Sequence, residues 1–314
     1  MTLVDYRDRA SVLVWVALMG LVAQRVLALP SREITATVFG SPITLTITTN
    51  TILGALLAGL VASGTESVVR AHPRTRAGAL RAAGGQIGSS TPFPRSEIAQ
   101  RGPTAETVSI LHSQQLNLIL TRGNHWVFWA LPMALVVVAL FLLPVTPSQA
   151  YWLLGIMLTG AALGLSMAGI YYTIDPFARG YRRARLGMNA LTYAVALVLF
   201  LVVYRSRARS IVSATEVMLV SALLALELLR GSGRPTLMIT LYAGITGVLL
   251  GQVTWALNYW RLTSLTGGLV LLVVFYDVVG LAQSALQGRI GRRVIIEYGL
   301  ITVGAMALIW KFAP

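Results

Sequence analysis

Long runs of apolar residues, separated by short polar segments, repeat along the chain. Each run is close to the length of about 20 residues that an α-helix needs to cross the hydrocarbon core of a bilayer. The pattern predicts nine transmembrane helices in a single membrane domain over residues 1–314. These predicted spans are residues 11–29, 49–70, 126–145, 151–174, 187–204, 211–229, 236–259, 264–285 and 294–310. We therefore expect an all-α polytopic integral membrane protein.

A different pattern occupies the segment between the first two spans, at residues 30–48. There ITATV and ITLTI alternate aliphatic residues with threonine on either side of FGSP. Alternation with a period of two, interrupted by turn-forming residues, is typical of a β-hairpin. The sequence predicts a short hairpin on the outer, extracytoplasmic side of the membrane.

The longest loop, residues 71–122, is expected on the cytoplasmic side. Its second half, TAETVSILHSQQLNLILTR, places apolar residues at helical spacing behind Thr104 and Glu106, which suit the start of a helix. This pattern predicts an amphipathic helix that lies against the inner face of the membrane.

Composition supports a membrane protein and excludes several kinds of site. Hydrophobic residues make up 56% of the chain and charged residues only 11%, with a mean hydropathy of +0.73. The chain has no cysteine, which excludes disulfides and thiolate metal sites. None of its three histidines lies deep inside an apolar run, so a buried pair of haem ligands is not expected. The sequence assigns no metal site and no cofactor.

The net charge of +14 is carried mostly by arginine, and the position of these arginines indicates one face of a membrane rather than a nucleic-acid groove. If the N-terminus is cytoplasmic, most arginines fall in inner segments, which predicts a C-terminus outside. The basic residues left outside are Arg32, Arg205, Arg207, Arg209, Arg261 and Lys311. The run YRSRARS at 204–210 opposes this orientation, and the topology around it stays open. We expect a multi-pass protein of the plasma (inner) membrane whose basic face contacts anionic headgroups.

Acidic and basic residues pair by sequence spacing at the predicted inner ends of several helices. Spacings of three or four put both side chains on one helix face, where each acid can be neutralised locally. Our interpretation is a set of interfacial ion pairs that fix helix depth; the alternative is a ring of acids around a cytoplasmic vestibule. The pairs are Glu66 with Arg70, Asp175 with Arg179, Glu227 with Arg230, and Arg293 with Glu297.

Asp277 is the acid that this local pairing does not explain. It lies within LVVFYDVVGLAQ and has no basic residue three or four positions away on either side. A carboxylate at membrane depth costs several kcal/mol or more, so its partner must come from another helix. We predict a polar cavity formed by Asp277, Tyr276, Gln252 and Asn258, with Glu216 as a second unpaired acid. The alternative is that these groups only hold the helix bundle together.

The segments SALLALELLRG, GQVTWALNYWRL and LTGGLVLLVVFYDVVGLAQ carry a resemblance to a known family. The chain resembles a family of multi-span bacterial membrane proteins that is defined as a domain of unknown function. The resemblance covers mainly the C-terminal half and implies no catalytic residue.

Three kinds of function are compatible with the sequence. The first is transport: a carrier of a small solute, ion or lipid, with Asp277 and Glu216 as the responsive groups. The second is a non-catalytic subunit of a larger, energy-transducing membrane complex, which would need no active site. The third is a membrane enzyme that acts on a lipid-linked substrate. The motifs HExxH and GxSxG are missing from the sequence, so an enzyme is the least favoured of the three.

Overall fold

The chain folds into a bundle of long helices. The computed structural model describes residues 3–26, 32–38, 41–47, 49–70, 72, 124–174, 180–206, 210–260 and 263–312. These residues form nine α-helices, numbered here in chain order. They are α1 (Leu3–Val26), α2 (Thr49–Arg70), α3 (Ala130–Leu142), α4 (Gln149–Thr173), α5 (Tyr181–Ser206), α6 (Ser210–Leu229), α7 (Thr236–Leu257), α8 (Ser264–Leu286) and α9 (Arg292–Phe312). Short 3₁₀ helices precede α3 at Asn124–Trp129, follow it at Leu143–Val145, and follow α6 at Arg230–Ser232.

Seven of the described helices are long and apolar enough to cross a bilayer: α1, α2, α4, α5, α7, α8 and α9. The protein is therefore a multi-pass α-helical membrane protein, as predicted. The prediction of nine spans is supported for those seven only. Helix α3 has just 13 residues, and α6 carries Glu216 and Glu227. Both helices are largely surrounded by other helices of the protein. A helix in that position is apolar on all sides, as a helix surrounded by lipid is.

The segment after α1 forms two strands, β1 (Arg32–Val38) and β2 (Ser41–Ile47). They pair antiparallel, with Val38 opposite Ser41 and Arg32 opposite Ile47. Their position outside the membrane stays a prediction, as does the orientation of the whole chain. The amphipathic helix predicted within residues 71–122 and the open topology at residues 207–209 lie outside the described residues.

Among the described helices, α6 and α7 share the most extensive contact, and glycine allows their close approach. A Cβ atom at Gly247 would lie 2.5 Å from the carbonyl oxygen of Met218, and one at Gly251 would lie 3.1 Å from the carbonyl oxygen of Ala214. Gly247 and Gly251 form a GxxxG pattern, which lets two backbones approach in a membrane. The loop joining the two helices includes Gly233 with a φ of 67°, a left-handed conformation that glycine adopts without strain.

Several helices end close together at what we call the basic end of the bundle, which holds Arg185, Arg230 and Arg234. The Arg234 Nε atom donates a 2.6 Å hydrogen bond to the carbonyl oxygen of Leu286, the last residue of α8. An arginine in this position satisfies a carbonyl that has no partner within its own helix. By the sequence-based orientation, this is the cytoplasmic end.

Candidate functional sites

Asp277 lies half-buried in α8, and its partner comes from α9. Thr302 donates a hydrogen bond to Asp277 Oδ2, and its hydroxyl is also 2.8 Å from the carbonyl oxygen of Tyr298. The other carboxyl oxygen, Oδ1, is buried and has no hydrogen-bond partner among the residues that the structure describes. The expected partner from another helix is therefore Thr302, a neutral hydroxyl rather than a cation.

Tyrosine rings surround this contact between α8 and α9. The ring of Tyr276 lies 5.9 Å from that of Tyr193 in α5 and 5.9 Å from that of Tyr298 in α9. Tyr298 also packs against Gly280, where a Cβ atom would collide with its ring. Helix α9 packs chiefly on α8, so this polar and aromatic junction is its main attachment to the bundle.

The other residues of the predicted polar cavity lie in different environments, which corrects that prediction. Asn258 donates a 2.9 Å hydrogen bond to Ser213 Oγ and so links α7 to α6. Gln252 is exposed on the face of α7 that points away from the bundle, beside Leu241 and Val248. Helices α7 and α8 do pack together as expected. However, helical periodicity turns Gln252 outward, while Asp277 is directed at α9.

Glu216 belongs to a separate cavity of about 370 Å³ between α3, α6 and α7. It is half-buried and has no hydrogen bond or ion pair within the described part of the chain. Apolar and aromatic side chains dominate the lining: Trp129, Met133, Val137, Phe141, Leu219 and Leu223, with others. Glu216 is thus not joined to Asp277.

The four predicted inner-face ion pairs differ in outcome. Glu66 and Arg70 are 2.5 Å apart at the end of α2, where Arg70 is exposed and Glu66 is half-buried. Asp175 and Arg179 lie outside the described residues. Arg293 and Glu297 are both exposed at the start of α9, and no ion pair joins them, which corrects the prediction. Exposed side chains gain little from such a pair and lose conformational entropy by forming it.

The fourth pair, Glu227 with Arg230, is formed and lies buried inside the bundle. Glu227 is 0% exposed, and its Oε1 atom lies 2.6 Å from Arg230 Nη2. Arg185 of α5 also approaches that oxygen, with its Nη1 atom 3.2 Å away. We call these three residues the Arg–Glu–Arg cluster. Carboxylates are almost never fully buried unless they are paired in this way.

The Arg–Glu–Arg cluster links α4, α5 and α6 at the basic end of the bundle. Arg185 Nη2 donates hydrogen bonds to the carbonyl oxygens of Glu227, at 2.9 Å, and Leu228, at 2.7 Å. Arg230 Nη2 donates to Thr173 Oγ1 of α4 at 3.3 Å, and its guanidinium lies 4.3 Å from the ring centre of Phe128. The surplus positive charge is partly offset by the negative end of the α6 dipole and by the aromatic face.

Sequence reasoning missed Arg185, although a signal was available. On α5, Arg185 precedes the buried residues Met188, Thr192 and Leu199, which repeat at helical spacing. Arg185 extends this inward-facing stripe, whereas Arg182 and Arg183 are exposed.

A groove of about 500 Å³ runs between α1 and α4. The two helices are antiparallel, because Tyr6 donates a 2.8 Å hydrogen bond to the carbonyl oxygen of Met167, while a Cβ atom at Gly160 would lie 3.0 Å from Leu18. The groove is lined by Tyr6, Arg7, Ala10, Ser11, Val14, Trp15, Gly164, Met167, Ala168, Tyr171 and Tyr172. Its size is within the range of about 300–1,000 Å³ that is typical of ligand pockets. Sequence analysis did not identify it.

Small side chains explain why this groove is open. Ala10 and Ser11 on α1 oppose Gly164 and Ala168 on α4, and a Cβ atom at Gly164 would meet no other atom within 4 Å. The groove is part of the lateral surface of the bundle, where Trp15 is 62% exposed. In a membrane, a molecule could therefore enter it directly from the lipid.

The fold and these sites define a multi-pass helical membrane protein with apolar lateral cavities and a buried charged cluster. Residues 29–311 match a family model described as "Protein of unknown function (DUF5656)". The chain belongs to this family, and the resemblance to an uncharacterised family is confirmed. Neither curated proteins nor solved structures gave a significant match.

Proposed function

We propose that this protein is a membrane carrier of a lipid-like amphiphile, which binds in the groove between α1 and α4. The groove itself is the observation that supports this function. It has ligand size, it opens to the side of the bundle, and its lining combines apolar residues with Arg7 and three tyrosines, Tyr6, Tyr171 and Tyr172.

An amphiphile suits these cavities better than an ion or a hydrophilic solute does. Carriers of ions and polar solutes typically hold their substrate near the middle of the membrane, among polar side chains and interrupted helices. The cavity beside Glu216 is lined mainly by apolar groups, and so is a shallow groove on the exposed face of α7 beside Gln252. Within this proposal, Asp277 anchors α9 through Thr302 and does not bind the substrate.

Gly164→Leu tests the proposed function, because Gly164 lines the groove and a Cβ atom at this position meets no atom within 4 Å, so the leucine side chain would extend into the groove. We expect the purified variant to retain much less lipid than the natural protein, as measured by native mass spectrometry in mild detergent. In reconstituted vesicles it should also lose transfer of a fluorescent phospholipid between leaflets. The matched control is Gly304→Leu on the exposed part of α9, which makes the same change away from the groove. Equal lipid retention and transfer by the two variants would contradict the proposal.

The second candidate is a non-catalytic subunit of a larger membrane complex. Helix α9 favours it, because Trp310 is 86% exposed, Leu300 73% and Val303 70%, leaving a broad apolar face. A partner helix could cover this face as readily as lipid does. Purification in mild detergent separates the two candidates: a stoichiometric partner supports a subunit, and a protein that purifies alone and transfers lipid supports a carrier.

A further inference from the structure

Polarity changes along the groove between α1 and α4. Because the two helices are antiparallel, Arg7 is at the same end as Tyr171 and Tyr172, and Trp15 lies beyond them near Gly164. The lining residues of α1 cover about 13 Å, at about 1.5 Å per residue. The groove thus has one charged, hydroxyl-bearing end and one apolar end, which is the polarity of a single amphiphile.

Arg7 is available to a ligand at the polar end. Its side chain is 78% exposed, and among the acids whose side chains the structure describes it pairs with Asp8, whose Oδ1 atom lies 3.9 Å from Arg7 Nε. An exposed ion pair at this distance contributes little. Two hydroxyls of the lining have internal partners, because Tyr6 donates to the Met167 carbonyl and Ser11 donates to that of Asp8. The guanidinium of Arg7 therefore supplies the positive charge at this end of the groove, beside the hydroxyls of Tyr171 and Tyr172.

A guanidinium at this position selects for negative charge. Arginine binds phosphate through paired N–H donors and keeps its charge at any physiological pH. Tyr171 and Tyr172 suit the level of the headgroups, where tyrosine is enriched in membrane proteins. Arg9 is also exposed but lines no part of the groove, because two positions along a helix turn it to another face.

We propose that the amphiphile is an anionic phospholipid, with its phosphate at Arg7 and an acyl chain along Val14 and Trp15 toward Gly164. This inference rests on the proposed function and specifies the substrate class and its direction in the groove. It also makes Arg7 the residue that determines headgroup specificity.

The test compares two lipids with the same acyl chains, phosphatidylglycerol and phosphatidylcholine, titrated into the purified full-length protein. We expect the natural protein to prefer phosphatidylglycerol by about tenfold in Kd, the ratio that corresponds to one modest ionic contact. Arg7→Gln should remove this preference, and Arg7→Lys should retain part of it. The matched control Arg9→Gln should leave it unchanged, because Arg9 is outside the groove.

The outcomes distinguish this inference from the proposed function. If Gly164→Leu removes binding of both lipids while Arg7→Gln retains the preference, the groove binds lipid and the role of Arg7 is overturned. If Arg9→Gln and Arg7→Gln reduce the preference equally, general surface charge accounts for it, and the inference is again overturned. If Gly164→Leu leaves binding of both lipids intact, the proposed function itself fails.

Discussion

Arg185 and Glu227 are 42 positions apart in the chain, yet Arg185 Nη1 lies 3.2 Å from Glu227 Oε1 inside the bundle. The same guanidinium donates to the carbonyl oxygens of Glu227 and Leu228 at the end of α6. One side chain of α5 thus both neutralises an acid of α6 and caps that helix. This contact, and not the local spacing of Glu227 and Arg230, joins separate parts of the fold.

Glu227→Gln should strongly destabilise the protein. The change leaves Arg185 and Arg230 buried together without a counter-charge, and breaking a buried ion pair by removing one partner costs about 3–5 kcal/mol. We expect the free energy of unfolding to fall by that amount, measured by denaturant titration of the protein in detergent micelles. The matched control is Glu66→Gln, which breaks a partly exposed pair and should cost less than about 1 kcal/mol. Similar losses in the two variants would mean that the buried cluster does not stabilise the fold.

Arg185→Lys should be destabilising although it keeps the positive charge. A lysine ammonium lacks the planar fork with which Arg185 reaches Glu227 and two carbonyl oxygens together. We expect a loss of about 2 kcal/mol, the size of a hydrogen bond to a charged group. Arg183→Lys, at an exposed position of the same helix, should change the free energy of unfolding by less than about 0.5 kcal/mol. Full stability of Arg185→Lys would show that charge alone matters at this position.

The helices could be predicted from the sequence because an apolar run and its ends are local properties. The run predicted at 236–259 is helix Thr236–Leu257, and the run at 264–285 is helix Ser264–Leu286. Whether such a helix faces lipid or protein depends on its neighbours in the fold and is not a local property. Helix α3 is apolar because Leu131, Ala134 and Val136 are buried in the bundle, and its sequence resembles that of a lipid-facing helix.

The sites were less predictable because they depend on how helices rotate against one another. Asp277 was recognisable as an acid in need of a partner, but nothing local identifies Thr302, 25 positions away. The groove beside Gly164 also results from the fit of two helix surfaces and has no motif. Gly247 and Gly251 are the exception, since the GxxxG spacing is visible in the sequence and marks the close contact with α6.

Gly247→Ala should weaken the contact between α6 and α7. The added methyl group would lie 2.5 Å from the Met218 carbonyl oxygen, so the backbones must separate. Overpacking of this kind costs about 1–3 kcal/mol, which thermal unfolding in detergent would detect. Gly244→Ala is the matched control on the same helix: its Cβ meets nothing within 4 Å, and we expect unchanged or slightly higher stability. If the two variants melt at the same temperature, close approach at Gly247 is not required for stability.

Thr302→Val should loosen α9 from the rest of the protein. Valine keeps the shape of threonine but removes the hydroxyl that donates to Asp277, and interhelical hydrogen bonds in membranes contribute about 1 kcal/mol. Trypsin can cut the exposed loop at Arg289, after which only non-covalent contacts hold α9 to the bundle. We expect the cut natural protein to retain α9 during size-exclusion chromatography in detergent, and the cut variant to lose it.

The control for Thr302→Val is Thr159→Val, because Thr159 donates to the Gly155 carbonyl of its own helix. This change removes a hydroxyl without affecting a contact between helices, so α9 should be retained. If Thr302→Val also retains α9 but abolishes lipid transfer, Asp277 and Thr302 take part in transport and do not serve as an anchor. The proposed division of roles, with substrate at α1 and α4 and attachment at α8 and α9, would then be wrong.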